Sequence, residues 1–467
     1  MKTNSTLFAA LLAASLLTSC LPRERMVWSP DGKSAVVATR DGLILADAAG
    51  KALAPIETDD GLSTQLDGTF VWSADGRDFF MVTEKKGLKW KDAAKLVPEE
   101  ALRVEALAKS LPHTIRAARE GMPAGEHKLE SVMEGLINSE QPLFLVALRA
   151  AYESDPVAVK GLFTGLDDEK EILEALEDET LAIVIYQIRW KSMVAGGPDY
   201  VVVPDPVILK SLFPLGQLAP SPDGKRLAFT RKMGDRFSIE HIPADPKENH
   251  PPVVVYPDIG AHDFAWSSDS KRLFVARLLD KDLPLGRIES RSADPSETSV
   301  SLIAEGMMAN PPSLALLPDG SILFASTPAT YPLTTKTELT SPAFYHVSPD
   351  GATMTKVPTA DGALSADLGF FAVSPDGRHV VIVESGSTTV ATLDLQSGEV
   401  KLVSSPSAGW LCRTRPAWRN NSEFTYAAEK DGKPVVMLHS IESGSKPWGE
   451  GFADGAFTDW LELRNEK

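Results

Sequence analysis

Cysteine is almost missing from this 467-residue chain. There are two, Cys20 and Cys412, too few for the disulfide frameworks of small secreted domains. A membrane-spanning run is missing as well. The main apolar run, residues 7–17 within "LFAALLAASLLTSC", is too short to cross a bilayer comfortably. Positive charge is in deficit: 47 Lys and Arg stand against 64 Asp and Glu, a formal net charge of −17. Phosphate binding needs a basic face, so nucleic acid is not expected as a partner. A basic protein or peptide is easier to accommodate. Local catalytic motifs are missing too. There is no G-x-S-x-G nucleophile elbow, no H-E-x-x-H or clustered H-x-H among the eight histidines, and no phosphate-cradling glycine loop. The sequence therefore assigns no catalytic residue, no cofactor and no metal ion.

What is present begins with the leader. Lys2 precedes the apolar run and small residues follow it, the layout of a secretory signal peptide. Leu17-Thr18-Ser19-Cys20 resembles the lipobox of bacterial lipoproteins. That resemblance implies cleavage before Cys20 and acylation of its thiol, with palmitate among the chains. Leu21, rather than Asp, follows, which implies the outer membrane facing the periplasm if the host is a diderm. An ordinary signal peptide with a chance cysteine is the alternative. Once Cys20 is acylated, Cys412 in "GWLCRTRPAW" has no partner. Placed just before a predicted strand, it reads as a small buried apolar residue.

A hairpin then recurs along the chain. "VWSPDGKSAVV" at 27 returns as "VWSADGRDFFMV" at 71, "PSPDGKRLAFT" at 220 and "AWSSDSKRLFVA" at 265. Weaker copies are "LLPDGSILFAS", "VSPDGRHVVIV" and "WRNNSEFTYAA". Aligned turn residues are Asp31, Asp75, Asp223, Asp269, Asp319, Asp376 and Asn421, at spacings of 44, 148, 46, 50, 57 and 45. Pro presets φ, Asp follows, and Gly supplies the left-handed conformation of a tight turn. Second hairpins follow within units, as in "LILADAAGKALAPI" and "VATLDLQSGEVKLV". Four short strands at this period are the signature of a propeller blade. "FYHVSPDGATMTKV" fits the second hairpin of its unit and is not counted as an eighth blade. Trp28, Trp72, Trp266 and Trp418 share one register, replaced by Pro220, Leu316 and Val373 in the other three units; they read as blade-to-blade packing. The aspartates read as turn chemistry: a ring of repeats spreads them too far apart to converge on one ion.

The long interval carries about 100 extra residues of helical style. Pro98 can open a helix, with Glu99 and Glu100 complementing its dipole. "EHKLESVMEGLIN" has amphipathic spacing, and "QPLFLVALRAAYESD" and "DDEKEILEALEDE" continue it; Gly121, Gly161 and Gly165 read as stops. Residues 97–180 hold 18 acidic and 8 basic residues, a net of −10. That is a solvated helix face or an acidic docking module for a basic partner. "VTEKKGLKWKDAAKLV" aligns with the first unit's third strand, so the second blade is expected to hold three strands by Asp92, with the helices at its outermost strand. "LAIVIYQIRW" and "DYVVVPD" return to strand-like sequence, completing the second blade or forming a separate hairpin.

The W-S-P-D-G-K repeats resemble those of TolB-like β-propellers, over residues 24 to about 450 apart from the insertion. The expected fold is all-β: seven blades of four antiparallel strands, with an α-helical subdomain inserted after or within the second blade. Residues 1–19 read as signal peptide, 20–96 as the first two blades, 97–180 as the acidic insertion, 181–456 as the remaining propeller with its return strands, and 457–467 as a C-terminal tail. TolB-like relatives are periplasmic and act mainly through protein contacts. This chain departs from them in its lipobox and in lacking TolB's separate N-terminal α/β domain, so no particular partner is carried over. The functional expectation is a lipid-anchored envelope scaffold for protein–protein interaction, without catalysis. The alternative is a hydrolase or lyase with its site in the central funnel, where His241, His262, Asp263 and His346 would be inspected first. The anchor lies so close to the first blade that the disc is held near the bilayer, its Pro-Asp-Gly turns pointing away. The acidic helices also point away if they enter between the third and fourth strands of their blade.

Overall fold

The computed structural model describes residues 24–463, leaving out 121–142, 194–205, 327–342 and scattered stretches of one to five residues. Strand succession follows the repeat. The first blade runs Met26–Trp28, Ser34–Thr39, Gly42–Asp47 and Ala52–Ile56, each strand antiparallel to the last. Five further blades, the third to the seventh, repeat this sequential order, and their inner strands start at Leu215, His262, Leu314, Leu368 and Ala417. The second blade departs from it. Its inner strand Phe70–Trp72 pairs with an eleven-residue strand, Asp78–Leu88, which also pairs with the short Gly61–Leu62. The partner on the other side of Asp78–Leu88 is Ile183–Ser192, and Val207–Ser211 lies outermost. The molecule is a seven-bladed β-propeller with a helical subdomain inside its second blade.

Two expectations change here. The second blade does not hold three strands by Asp92. Residues 78–88 run as one strand through a bulge at Gly87 (φ 74°), and a helix opens at Trp90. In the first blade the equivalent glycine, Gly42, closes a hairpin into β-rich "LILAD". After Gly87 the chain reads "LKWKDAAKLVPEEALRVEALAK", rich in helix formers and poor in β-branched residues. The helices therefore enter between the second and third strands, not the third and fourth. Antiparallel order puts the Pro-Asp-Gly turns on one face of the disc (the turn face). The second-to-third connections and the inter-blade linkers lie on the other (the linker face). The helices stand on the linker face, where the chain enters at Met26, so they do not point away with the turns.

The helices are α1 (Trp90–Leu96), α2 (Pro98–Glu120), α3 (Phe144–Ser154), α4 (Pro156–Phe163) and α5 (Glu169–Glu177). Pro98 opens α2 with Glu99 and Glu100 in its first turn. Asp155 caps α4 by accepting from Ala158 N at 2.9 Å, beside Pro156 at the first helical position. Gly161 lies within α4 rather than ending it, whereas Gly165 beyond it takes the left-handed conformation (φ 84°). Phe144, Phe163, Ile115 and Leu176 form an apolar core that continues into Ile183, Ile185, Leu212 and Phe213 of the propeller. Full burial of each such side chain stabilises by roughly 1.5–3 kcal/mol. Gly121, "EHKLESVMEGLIN" and "DYVVVPD" lie outside the described residues.

Indoles join the blades. Trp72 Nε1 donates to Val27 O (3.2 Å), Trp266 Nε1 to Ala219 O (2.9 Å) and Trp418 Nε1 to Ala372 O (2.9 Å). Each reaches the inner strand of the preceding blade. Trp28 closes the circle, donating to Thr425 Oγ1 of the last blade at 3.2 Å and meeting Trp448 edge-on at 5.6 Å. Among the described residues, first and last blades exchange no strand. Their seam is backbone-tight: a Cβ on Gly50 (φ 84°) would lie 2.4 Å from Gly449 N. The stretch after the last blade then crosses the linker face. Trp460, 2% exposed, donates from Nε1 to Ala38 O at 3.0 Å. Asp459 pairs with Arg25 at 2.7 Å, and Leu461–Leu463 pairs with Trp410–Cys412.

Candidate functional site

The turns come first, since they cover one face. Ser29 Oγ donates to Asp31 Oδ1 at 2.7 Å, and the same oxygen accepts from Lys33 N at 3.1 Å. Ser73–Asp75, Ser221–Asp223, Ser267–Asp269 and Ser374–Asp376 repeat this arrangement. The serine hydroxyls hold the carboxyls of Asp31, Asp75 and Asp269 below their ordinary value. In the fifth blade Leu317 replaces the serine, and Asp319 accepts from Ser321 N and Oγ instead. The seventh turn is one residue shorter than the alignment assumed. Asn420, not Asn421, accepts from the backbone of Ser422 and Glu423, at 2.9 Å each. No group of three or more His, Cys, Asp or Glu among the described residues could hold a metal ion.

The four residues marked for a funnel site are not brought together. His262 and Asp263 are neighbours on the fourth inner strand, so their side chains leave opposite sides of it. Asp263 ties three blades: it accepts from Gln217 Nε2 at 2.6 Å, from Phe264 N and from Leu314 N. Burial pushes its carboxyl up, against the opposing field of Arg415. His262 donates from Nδ1 to Gly260 O at 2.8 Å and meets Phe237 edge-on; burial lowers it to about 4. His346 sits on the third strand of the fifth blade, lowered by burial against the field of Asp319. His241 lies on the third strand of the third blade, its Nε2 bonded to Ala293 O at 2.8 Å. Burial also pushes the Cys412 thiol up to about 11, with Thr414 O accepting its hydrogen at 3.2 Å; Cys20 lies outside the described residues.

Two features had no local signal in the sequence. The first pins the helices. Glu100 of α2 accepts from Leu212 N (2.6 Å), Ser211 Oγ (2.9 Å) and Arg231 Nη1 (2.5 Å). Arg231 in turn holds Glu240 through two bonds, at 2.8 and 2.9 Å. Arg231 stands opposite Ser238 across a hairpin and reaches Glu240 on the diagonal, on the same face of the sheet, which alternation could have suggested. Glu100 is 131 residues from Arg231, and nothing local couples them. The second feature is a pair of clefts on the turn face, flanking the loop at 244–247. One, of about 530 Å³, opens between the second and third blades and is lined by Asp75, Asp78, Asp223, Asp245 and Trp190. The other, of about 690 Å³, lies beside the third blade and is lined by Lys225, Arg226, His241, Glu248 and His250.

Strand order alone defines the class: a seven-bladed propeller, a fold that fixes no activity. Residues 346–448, from the fifth blade's third strand to the end of the seventh, match the family "Lipoprotein LpqB beta-propeller domain". This match agrees with the TolB-like resemblance of the repeats. No curated protein matches the sequence. Among solved structures, the chain is similar to TolB from Acinetobacter baumannii: 16% identity, 56% of this chain and 61% of that one, TM-score 0.39. It is also similar to an acylaminoacyl peptidase of Pyrococcus horikoshii: 15% identity, 56% and 41% covered, TM-score 0.36. A puromycin-hydrolyzing peptidase of Mycobacterium tuberculosis is a third: 15% identity, 54% and 41% covered, TM-score 0.32. The chain thus spans about three fifths of that TolB and two fifths of the peptidases.

Proposed function

We propose that this protein is an envelope lipoprotein, anchored through Cys20, whose propeller and helical subdomain form a scaffold for a protein partner without catalysis of their own. The observation that carries this reading is the sidedness of the disc. The chain enters at Arg25, clamped to Asp459 on the linker face, where the helices also stand. Four residues separate Arg25 from Cys20, five steps of chain with a reach of at most about 17 Å. The helices would act as a spacer between disc and bilayer, and the net −10 of residues 97–180 would hold the disc off anionic headgroups. That acidic side is open to a basic surface approaching along the membrane. The turn face is left to look away from it. If the host is a diderm, the outer membrane facing the periplasm is the proposed address.

The test has two parts. A palmitate analogue should label the full-length protein and not a Cys20→Ser variant, which should leave the membrane fraction. Amine-reactive crosslinking in native membranes should give a discrete adduct of the labelled protein. A protein that stays unlabelled, or that gives no adduct under any crosslinker length, would overturn the proposal.

A further inference from the structure

The larger of the two clefts contains a ring nitrogen, His241 Nδ1, that neither the turns nor the blade packing uses. His241 is 7% exposed, so its ring is almost wholly enclosed, yet it lines the cleft wall. Its Nε2 lies 2.8 Å from Ala293 O. A carbonyl only accepts, so the proton sits on Nε2 and Nδ1 carries a lone pair. Burial lowers this histidine, which keeps it neutral. Nδ1 has no partner, and it is not among the atoms shut off from the surface. It is an acceptor, held rigid by the bond at Nε2 and by the tilted contact of its ring with Trp266 (5.9 Å), and left open to the cleft. Such an atom can take an N–H or O–H from a ligand in place of water.

The surrounding charge selects the ligand further. In a chain of net charge −17, this cleft sets Lys225 and Arg226 beside Asp245 and Glu248, with no net negative charge. Lys225 makes no ion pair, and Arg226 makes only one long bond, from Nη1 to Ser270 O at 3.4 Å. Both cations are available to a carboxylate. Pro243, Pro251 and Val253 add an apolar wall. The volume, about 690 Å³, lies within the range of ligand sites and would take several residues of an extended chain.

We propose that this cleft binds an extended, carboxylate-bearing segment of a partner protein, with His241 Nδ1 accepting a backbone N–H and Lys225 and Arg226 taking the acidic side chain. The inference rests on the scaffold reading and deepens it. It places a second docking site on the turn face, with a preference opposite in sign to that of the acidic helices.

The experiment uses full-length protein labelled with ¹⁵N-histidine. The probes are two synthetic peptides of alternating Gly and Ser carrying either two Asp or two Lys, with N-acetyl-aspartate as the free small acid. The Asp peptide should move the His241 Nδ1 resonance saturably, and the Lys peptide should leave it in place. Lys225→Glu, an exposed change, should weaken the Asp peptide about fivefold. His241→Gln keeps a donor for Ala293 O and takes the acceptor away from the Nδ1 position, so fluorescence anisotropy with this variant should show at least that loss. Three results would overturn the site: no shift at millimolar Asp peptide, an equal shift with the Lys peptide, or an unchanged affinity in Lys225→Glu. Equal occupancy by N-acetyl-aspartate would overturn the assignment to a peptide. If the membrane crosslink forms while the wild-type protein binds no Asp peptide, the cleft is refuted and the scaffold stands. If no crosslink forms in the wild type, the scaffold itself falls whatever the peptides do.

Discussion

Removing the Glu100 carboxylate tests how the helical subdomain is held. In Glu100→Ala, Leu212 N and Ser211 Oγ lose their acceptor, and Arg231 Nη1 is left with Ser211 Oγ at 2.9 Å. The Glu100 and Arg231 side chains are each 13% exposed, so neither deletion nor rearrangement is screened as a surface pair would be. Breaking a buried pair by removing one partner costs about 3–5 kcal/mol. Arg231 keeps its two-bond grip on Glu240, so the lower end applies, about 3 kcal/mol. Because Glu100 roots α2 while the blades keep their own cores, the loss should be local. Hydrogen exchange in 98–120 and 144–177 should quicken by about a hundredfold, while strands 379–384 and 390–394 stay as protected as before. Glu100→Gln, which keeps an oxygen for Leu212 N, should show a smaller effect. The reasoning fails if exchange in the helices is unchanged, or if the sixth blade loosens to the same extent.

Two further outcomes are expected. Trp460→Ala removes a side chain that is 2% exposed, along with its bond to Ala38 O, and should cost about 3–5 kcal/mol, read as a fall in the midpoint of denaturant unfolding. An unmoved midpoint would show that the C-terminal stretch merely lies on the surface. His262 gives a pH dependence. Its folded value of about 4 lies below the usual 6.5, so the unfolded chain takes the proton first as pH falls. The stability held by the neutral ring is full above pH 6.5 and is lost between 6.5 and 4, about 3 kcal/mol in all. His262→Gln should flatten that part of the stability profile, and an equally steep profile would refute the assignment.

The ring was legible because its information is local. Each turn spells its own hydrogen bonds within a few residues, as Ser29, Asp31 and Lys33 do, and seven such spellings at one period imply neighbours packed side by side. The same locality explains the Asn420 slip, since a turn one residue shorter keeps the same composition. The route of the second blade was not legible. Gly42 and Gly87 each sit between two charged residues and a leucine, in "RDGL" and "KKGL", and which one turns a hairpin depends on what the later chain offers as a partner. That partner, Ile183–Ser192, lies across the insertion. The binding features were hidden for the same reason. His241 stood out as a histidine, but its role depends on Ala293 and Trp266 in the next blade.

The seam between the first and last blades has a consequence for biogenesis. Many rings could be sealed by a terminal strand shared between two modules; here, among the described residues, every blade is built from one contiguous stretch, and the circle is shut by indoles and a late strap. Sheets can therefore form one after another as the polypeptide emerges, with no module waiting on a distant terminus. The cost falls on the final step. A polypeptide halted before Trp448 would present Trp28 and Met26 as a greasy edge, an invitation to proteases and to association with its own copies. In the finished disc Trp448, Phe457 and Trp460 cover that edge.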